Sequence, residues 1–501
     1  MPDPSQVERP AKMETNLFIA GKYVAPAGGA HFADIEPATE RELAQVADAG
    51  AEDVERAVAA ARDAADHGPW PRLSAEARGR VIGRMADGIE KRARELGRIE
   101  ARDVGKPVSE CVNHDIARAA RNLRFFANAA EAWTQEASYG DAKFLGADLK
   151  LVSLTERAPL GVGAIIIPWN SPLMLGTWNL GPCLAAGNAC IYKPSELAPL
   201  TAIALGGIAN EAGLPPGVLN ILPGQGAAGA ALVSHPGVDG IAFTGGVATG
   251  RRVMAAAAES LKRVTLELGG KSPNVVFADA ELKRAAAGVA RSIFRSQGQS
   301  CVAGSRLLVE RKIADEFIAM VLGDMRKLKI GDPLADDTEY GPLISAAHRN
   351  RVDAFVKEAV AGGAELLAGG AIPEHPRPGF YYLPTVLDRL RPDARAVREE
   401  IFGPVLSVER FEDEEQAAAM ANATRYGLAA YIWTRDLERA LRVAARIRTG
   451  MVWVNSFFLR DLRTPFGGSG QSGVGRQGVR FSLEFWTEPK LVCLTYPERQ
   501  A

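Results

Sequence analysis

The chain has 501 residues, 47% of them hydrophobic and 24% charged, with a formal net charge of −1. At ~150 residues per domain this length implies two to four folded units, each able to bury a core of its own. The near-neutral balance gives no basic field for a phosphate backbone or an anionic lipid surface, so neither nucleic acid nor a membrane is an expected partner.

Residues 1–16 are rich in proline and charge and lack the apolar core of a signal peptide, which predicts a disordered arm. A hairpin is expected over 16–24, around Gly21-Lys22-Tyr23, followed by helices over 51–66 and 74–103. In the second helix Val81, Ile82, Met85, Ile89, Leu96 and Ile99 recur mostly every three to four residues, one apolar face of a 3.6-residue period. Residues 113–133 read as another helix with Ile116, Leu123 and Phe126 on one side, and 142–157 as an extended strand or hairpin among turn formers.

From Leu160 the pattern changes to continuous apolar strands at 162–167, 189–192, 219–222, 241–244 and 264–267. Helices such as 199–212 lie between them, with Pro199 at the start and Gly213 just past the end. Strands buried on both faces and each followed by a helix predict a Rossmann-type parallel sheet in an α/β fold, with ligands at the strand carboxyl ends. Asn170, then Lys193 and Glu196, then Gly245, and finally Glu267 fall at those ends. The apolar run 160–167 is closed by Pro168 and is much shorter than the ~20 residues of a membrane span. A hinge over 268–274 leads to a second α/β series with strands at 274–277, 306–309 and 452–455 and helices at 313–328, 345–362 and 437–449. Residues 467–478 read as a mobile glycine-rich loop, and 484–496 as an edge strand suited to completing the ribbon of a neighbouring subunit.

The five cysteines are scattered, with no CxxC pair and no histidine cluster, so no metal site is expected and reduced thiols in a cytoplasm fit best. A lone cysteine is ordinarily a small buried hydrophobe. Cys301 stands out by its surroundings, Gly298-Gln299-Ser300-Cys301 at the end of a long apolar-periodic segment. Before it come Pro168-Trp169-Asn170, Lys193-Pro194-Ser195-Glu196, Phe243-Thr244-Gly245-Gly246 and Glu267-Leu268-Gly269-Gly270-Lys271; after it come Glu400-Ile401-Phe402-Gly403-Pro404 and Pro465-Phe466-Gly467-Gly468. In this order and at these spacings the motifs resemble the NAD(P)-dependent aldehyde dehydrogenase superfamily, from about residue 17 to about residue 495.

The resemblance implies an NAD-binding domain over 17–140 and 159–269 and a catalytic domain over 270–483. It also implies a ribbon and tail over 141–158 and 484–501 that join subunits into a homodimer or homotetramer. It casts Cys301 as the nucleophile, because an aldehyde carbon must become tetrahedral before it can release hydride. The Asn170 amide and the Cys301 N–H would hold the oxyanion, and Glu267 would activate the water that cleaves the thioester. Relatives that pass the acyl group to coenzyme A typically lack this glutamate, so hydrolysis is the expected outcome. For the cofactor, the resemblance gives Lys193 and Glu196 the adenosine ribose, with Glu196 disfavouring the 2′-phosphate of NADP. Glu400 and Phe402 take the nicotinamide side, while Ile167, Pro168, Trp169, Gly226, Gly229, Phe243, Gly245, Gly246 and Leu268 line the cleft. The family usually has serine at the position of Gly246, which leaves only backbone donors there.

Two segments, Leu459-Arg460-Asp461-Leu462-Arg463 and Asp115-Ile116-Ala117-Arg118, resemble the 2-hydroxymuconic and 2-aminomuconic semialdehyde dehydrogenases within that superfamily. They would place Arg118 and Arg460 beside the aldehyde path with Met174, Trp178 and Phe458, where two guanidinium groups suit a substrate carboxylate. The residues alone also allow salt bridges of Arg118 with Asp115 and of Arg460 with Asp461. Other readings are a dehydrogenase of neutral aldehydes, a hydrolase pairing Cys301 with one of the six histidines, and an inactive binding or structural homologue.

Overall fold

The computed structural model describes residues 13–132, 136–374 and 378–497. Of the arm expected over 1–16, residues 1–12 lie outside the described residues, as does His375. Residues 13–16 pack onto the body, with Met13 against Val46, Leu200 and Ile203 and the Thr15 carbonyl accepting from the Ala47 N–H at 3.0 Å.

Five buried apolar strands form the parallel centre of an eight-stranded sheet, in the spatial order Arg263–Glu267, Gly240–Thr244, Val162–Ile166, Ala189–Lys193, Leu219–Ile221. The first strand in sequence, Val162–Ile166, lies in the middle, and the chain winds outward from it in both directions. That reversal creates a crevice at the carboxyl end of Val162–Ile166, where ligands of open parallel sheets bind. The hairpin of Leu17–Ile19 and Lys22–Val24 extends one edge, and Gly473–Val474 pairs antiparallel with Arg263–Glu267 at the other. Helix Pro172–Ala185, apolar on almost every side, fills the core above the crevice.

A second sheet of seven strands runs Glu365–Ala368, Thr385–Asp388, Val405–Phe411, Arg306–Glu310, Pro273–Val276, Ala429–Trp433, Met451–Val454, all parallel except the first. Residues 268–272 alone carry the chain from the last central strand of one sheet to a central strand of the other, so Glu267 lies at the seam.

Several local features differ from expectation. The helix expected over 74–103 is two, Ala75–Lys91 and Ala93–Val104, broken at Arg92, whose guanidinium reaches back to the Gly88 carbonyl and across to Glu211. The stretch 113–133 opens with a π-helical turn, Cys111–Ile116, before helix Ala117–Glu131. That wider turn carries Asp115 inward, where it accepts from Lys106 Nζ at 2.6 Å and Ser171 Oγ at 3.2 Å. The segment 467–478 is a packed wall: Ser472 Oγ donates to the Gly269 carbonyl at 2.6 Å and accepts from the Gly427 N–H at 3.0 Å, while the Ser472 carbonyl accepts from the Leu268 N–H. Glycine there serves close approach, since a Cβ on Gly473 would lie 2.4 Å from the Leu266 carbonyl oxygen.

The tail also pairs differently. Strands Glu136–Phe144 and Ala147–Pro159 form a hairpin, and Thr487–Pro497 lies antiparallel along Ala147–Pro159 of its own chain, from Thr487 opposite Pro159 to Pro497 opposite Leu149. Trp486, buried to 2% exposure, dictates this choice: its carbonyl accepts from the Leu160 N–H and from Asn188 Nδ2, which delivers the tail beside Pro159. Among the described residues no helix is long and apolar enough to cross a membrane.

Candidate active site

Cys301 reaches the seam through an unusual turn. Helix Leu282–Phe294 ends in three successive residues with positive φ, Ser296 (50°), Gln297 (55°) and Gly298 (69°). Left-handed backbone costs non-glycine residues about 1–2 kcal/mol each, so such a run persists only if other contacts hold it. Those contacts are present: the Glu110 carboxylate accepts from Ser296 Oγ and from Arg295 Nε, and buried Gln299 accepts the Ile344 N–H on its side chain and the Asn170 amide on its carbonyl, both at 3.0 Å. The thiol is half-buried beside Val302 and the rings of Phe457, Phe458 and Phe466. Burial, then the carboxylates of Glu400 and Glu267, push it up to about 12.

Glu267 ends its strand 4% exposed, and among the described residues neither carboxylate oxygen has a hydrogen-bond partner. Desolvation raises it well above the ordinary range, with Arg476 and Arg460 pulling the other way. Gly467 leaves room for it, because a Cβ there would come within 2.7 Å of Oε1. Asn170 donates one amide hydrogen to the Gln299 carbonyl, and its Oδ1 is buried and unpaired. Glu400 accepts from the Gly270 N–H at 3.0 Å and is raised to about 7 by burial. Cys301, Glu267, Asn170 and Glu400 therefore surround one place. Among the described residues, no hydrogen bond made by a histidine involves Cys301: His31, His114, His235 and His348 bond Gly29, Asp115, Glu55 and Phe402.

On the opposite side of the seam is a cavity of about 510 Å³ lined by Ile167, Pro168, Trp169, Lys193, Glu196, Gly226, Gly229, Phe243, Gly245 and Gly246, ten of the residues expected at the cofactor. Its floor is apolar. At its rim Lys193, lowered by desolvation, donates to the carbonyls of Pro194 and Gly224. Helix Val247–Ala258 begins at this rim with no side-chain cap, and its first N–H groups are the donors a pyrophosphate needs. Nothing lies within 4 Å of where a Cβ on Gly226 or Gly246 would stand, so the entrance is open. These features fit a dinucleotide. Leu268 sits behind the cavity against Gly250, and Phe402 packs edge-on to Trp169 at 5.4 Å. Arg252 also lines the cavity and was not foreseen from the sequence.

Where the sequence leads one to expect the aldehyde path, Arg460 Cζ lies 4.6 Å from the Trp178 ring centroid and 5.1 Å from that of Phe466. Arg118 donates to Asn122 Oδ1 at 3.3 Å, and Asn122 Nδ2 donates to the Met174 carbonyl at 3.0 Å. Burial pushes both guanidinium groups down to about 10, and Arg118 lowers Arg460 further. Neither forms a salt bridge among the described residues. Asp115 is taken by Lys106 and His114, and Asp461 by Arg463 at 2.8 Å, so the expected alternative of local ion pairs is not what forms. Arg460 Nη2 is buried without a partner. Phe458, with φ of 48°, stacks edge-on to Trp453. Phe466, from the Pro465-Phe466-Gly467-Gly468 motif, stands in this wall, and Asn122, Arg476 and Gln477, which accepts from Trp178 Nε1, are beside it and were missed; only the four-residue spacing of Arg118 and Asn122 on a helix signalled any of these three.

The family model described as the aldehyde dehydrogenase family matches residues 23–492. A 2-hydroxymuconic semialdehyde dehydrogenase of a Pseudomonas species is 45% identical over 491 residues, covering 96% of this chain and 99% of its own. The NADP/NAD-dependent aldehyde dehydrogenase PuuC of Escherichia coli is 44% identical, covering 96% of both chains. Among solved structures, a mutant of the P. syringae indole-3-acetaldehyde dehydrogenase AldA, in complex with NAD+ and IAA, superposes with a TM-score of 0.93 at 42% identity over 97% of each chain. With this agreement over nearly its whole length, the chain belongs to the aldehyde dehydrogenase family and is an NAD(P)-dependent enzyme of that class.

Proposed function

We propose that the enzyme oxidises a carboxylate-bearing semialdehyde to the corresponding acid by way of a covalent adduct on Cys301. The Cys301 thiol gives up its proton to water, the sulfur adds to the aldehyde carbon, and the oxygen takes up negative charge against the second Asn170 N–H and the Cys301 N–H. Bound NAD supplies the acceptor for the hydride that leaves the tetrahedral carbon. A Cys301 thioester remains. Glu267 then removes a proton from water, hydroxide adds to the thioester carbon, and the sulfur leaves and regains a proton. Glu267 suits this role because no protein group satisfies its oxygens, so a water bound there has a buried acceptor to itself.

The observation that carries the substrate class is the pair of half-buried guanidinium groups, Arg118 and Arg460, that have no carboxylate partner among the described residues, with Arg460 Nη2 buried and unpaired. Two like charges kept close and desolvated are costly unless an anion joins them, and a substrate carboxylate would bind both. The Pseudomonas relatives named for 2-hydroxymuconic semialdehyde agree with that class. The test is a panel of aldehydes with and without a distal carboxylate, run with NAD and NADP, on the wild type, Arg118→Ala and Arg460→Ala. An unchanged preference between charged and neutral aldehydes in the variants would refute the reading.

A second reading, a neutral aromatic aldehyde, is favoured by the rings of Trp453, Phe457, Phe458 and Phe466 near the thiol and by the AldA likeness. The same panel decides it. Association into a homodimer or homotetramer is supported by the two outer edges of the three-stranded ribbon, which expose Tyr139, Phe144, Leu491 and Leu494. Sedimentation of a Leu491→Lys, Leu494→Lys variant tests it. All five cysteines are free, as a reducing cytoplasm requires.

A further inference from the structure

Gln477 holds both of the rings against which Arg460 lies. Its main chain forms an isolated antiparallel bridge with Phe466: the Phe466 N–H donates to the Gln477 carbonyl at 2.6 Å, and the Gln477 N–H donates to the Phe466 carbonyl at 2.7 Å. Its side-chain oxygen accepts from the indole Nε1 of Trp178, and its Nε2 donates to Asn179 Oδ1 at 2.9 Å. An indole N–H only donates, so the oxygen of the amide must face Trp178 and the nitrogen must face Asn179. Asn179 in turn donates to the Leu175 carbonyl at 3.0 Å, one turn back on helix Pro172–Ala185. Gln477 is 5% exposed, and each of its four polar groups has a partner.

What this grip fixes is the attitude of a cation. The hydrogen bonds of Arg460 to the carbonyls of Asp461 and Thr464 and to Thr464 Oγ1 all leave from Nη1 and stay within its own loop. Nη2 is buried and, among the described residues, unpaired. The plane of the guanidinium is set by the rings it lies on, Trp178 at 4.6 Å and Phe466 at 5.1 Å, because a guanidinium stacks on aromatic faces. Trp178 is steadied further by Phe126, with centroids 5.3 Å apart. One ring comes from the first-sheet helix and the other from the loop that carries Arg460, and Gln477 is bonded to both. It does so without charge. A carboxylate at this position would add an anion beside the indole, whereas an amide leaves the guanidinium charge for a ligand.

We infer that Gln477 is a positioning residue for substrate selection: by fixing Trp178 through its side chain and Phe466 through its main chain, it aims the free edge of Arg460 at an incoming carboxylate. The inference rests on the reading of Arg460 as a carboxylate site. Among the described residues none of the hydrogen bonds of Gln477 reaches Cys301, Glu267 or Asn170, so its effect is on which aldehyde is held and not on the steps that follow.

The experiment compares the wild type, Gln477→Met, Trp178→Phe, the double variant and Arg460→Ala as full-length enzymes at saturating NAD, with adipic semialdehyde and hexanal as matched charged and neutral substrates. Methionine fills the space of glutamine without its polar side-chain atoms, and phenylalanine keeps a ring beside Arg460 but loses the indole N–H. Gln477→Met is expected to raise KM for adipic semialdehyde about tenfold with kcat within about twofold, and to leave both constants for hexanal within about twofold, the pattern of uniform binding lost. Trp178→Phe should lower the charged-to-neutral ratio of kcat/KM by about the same factor. It severs the same hydrogen bond from the other end and carries the test if Gln477→Met does not fold. Because both changes break one contact, the double variant should lose no more than about twofold beyond either single variant; losses that multiply would overturn the inference. So would an equal fall for both substrates in Gln477→Met, the mark of a merely structural residue. If Arg460→Ala abolishes the preference while Gln477→Met and Trp178→Phe keep it, the positioning role fails and the reading of Arg460 stands. If the wild type shows no preference, or Arg460→Ala keeps it, that reading fails and takes the inference with it.

Discussion

The cavity proposed for the dinucleotide and the wall proposed for the aldehyde would recognise their ligands by different means. The cavity is made of main chain: strand ends, Gly226, Gly245 and Gly246, and the uncapped start of helix Val247–Ala258. The aldehyde wall is made of long side chains, Arg118, Trp178, Phe458, Arg460 and Phe466, borne on two helices and the 455–466 loop. Main-chain recognition is bound to the topology of the sheet, whereas side-chain recognition is replaceable residue by residue. One fold can thus keep its cofactor while its relatives carry the names of different aldehydes.

The sharpest way to break this comparison is at the shared centre. Glu267→Gln should lower steady-state turnover by about 10³-fold while leaving a single-turnover burst of NADH, because acylation needs the thiol and only release needs the base. Stopped-flow absorbance shows whether the burst survives. Asn170→Ala should reduce kcat by about 10²-fold with little change in KM for either substrate, the pattern of a donor that acts on developing charge. Arg460→Ala should cost about 30-fold in kcat/KM for a semialdehyde acid, the worth of a charge-assisted hydrogen bond at about 2 kcal/mol, and less than about threefold for a neutral aldehyde. A uniform loss would mean that the arginine supports the wall rather than reading the substrate.

The thiol offers a smaller, pH-dependent test. A group raised to about 12 is protonated at neutrality, so the thiolate fraction grows with pH, and iodoacetamide should alkylate Cys301 about tenfold faster for each unit between pH 7 and 9. Glu400→Gln removes a negative charge that raises the thiol and should speed alkylation at a given pH; slower alkylation would show that the carboxylate assists the sulfur instead. Least of all, Gly246→Ser adds a side chain where nothing stands within 4 Å, and KM for NAD should move by less than about twofold. A large shift would show that a hydroxyl matters at a terminus otherwise built of backbone.

The same contrast explains what the sequence disclosed. Lys193, Gly245 and Glu267 follow strands whose apolar runs are unmistakable, so their meeting at one crevice follows from the winding of a parallel sheet. Val405–Phe411 escaped notice because Ser407, Glu409 and Arg410 interrupt its apolar pattern, and only the fold shows Ser407 bonded to the Ser305 carbonyl and Glu409 to Arg306. The glycines of 467–478 suggested mobility, yet at Gly473 and Gly478 a Cβ would lie 2.4 and 2.7 Å from the carbonyl oxygens of Leu266 and Thr464. Glu110, which braces the turn before Cys301 from some 185 residues away, has no local signature at all. Contacts between distant residues that hold unfavourable backbone are invisible to periodicity and to spacing alike.

The pairing of Thr487–Pro497 with Ala147–Pro159 also bears on how the polypeptide matures. Trp486 seats its ring against Gly163 in the middle strand of the first sheet, and Gly473–Val474 closes that sheet's edge. A nascent chain emerging from the ribosome therefore exposes an unfinished ribbon and an unplugged core until Trp486 and the strand after it have been made. Stop codons that remove Trp486 and everything after it should yield aggregation in cells rather than a slightly weakened enzyme.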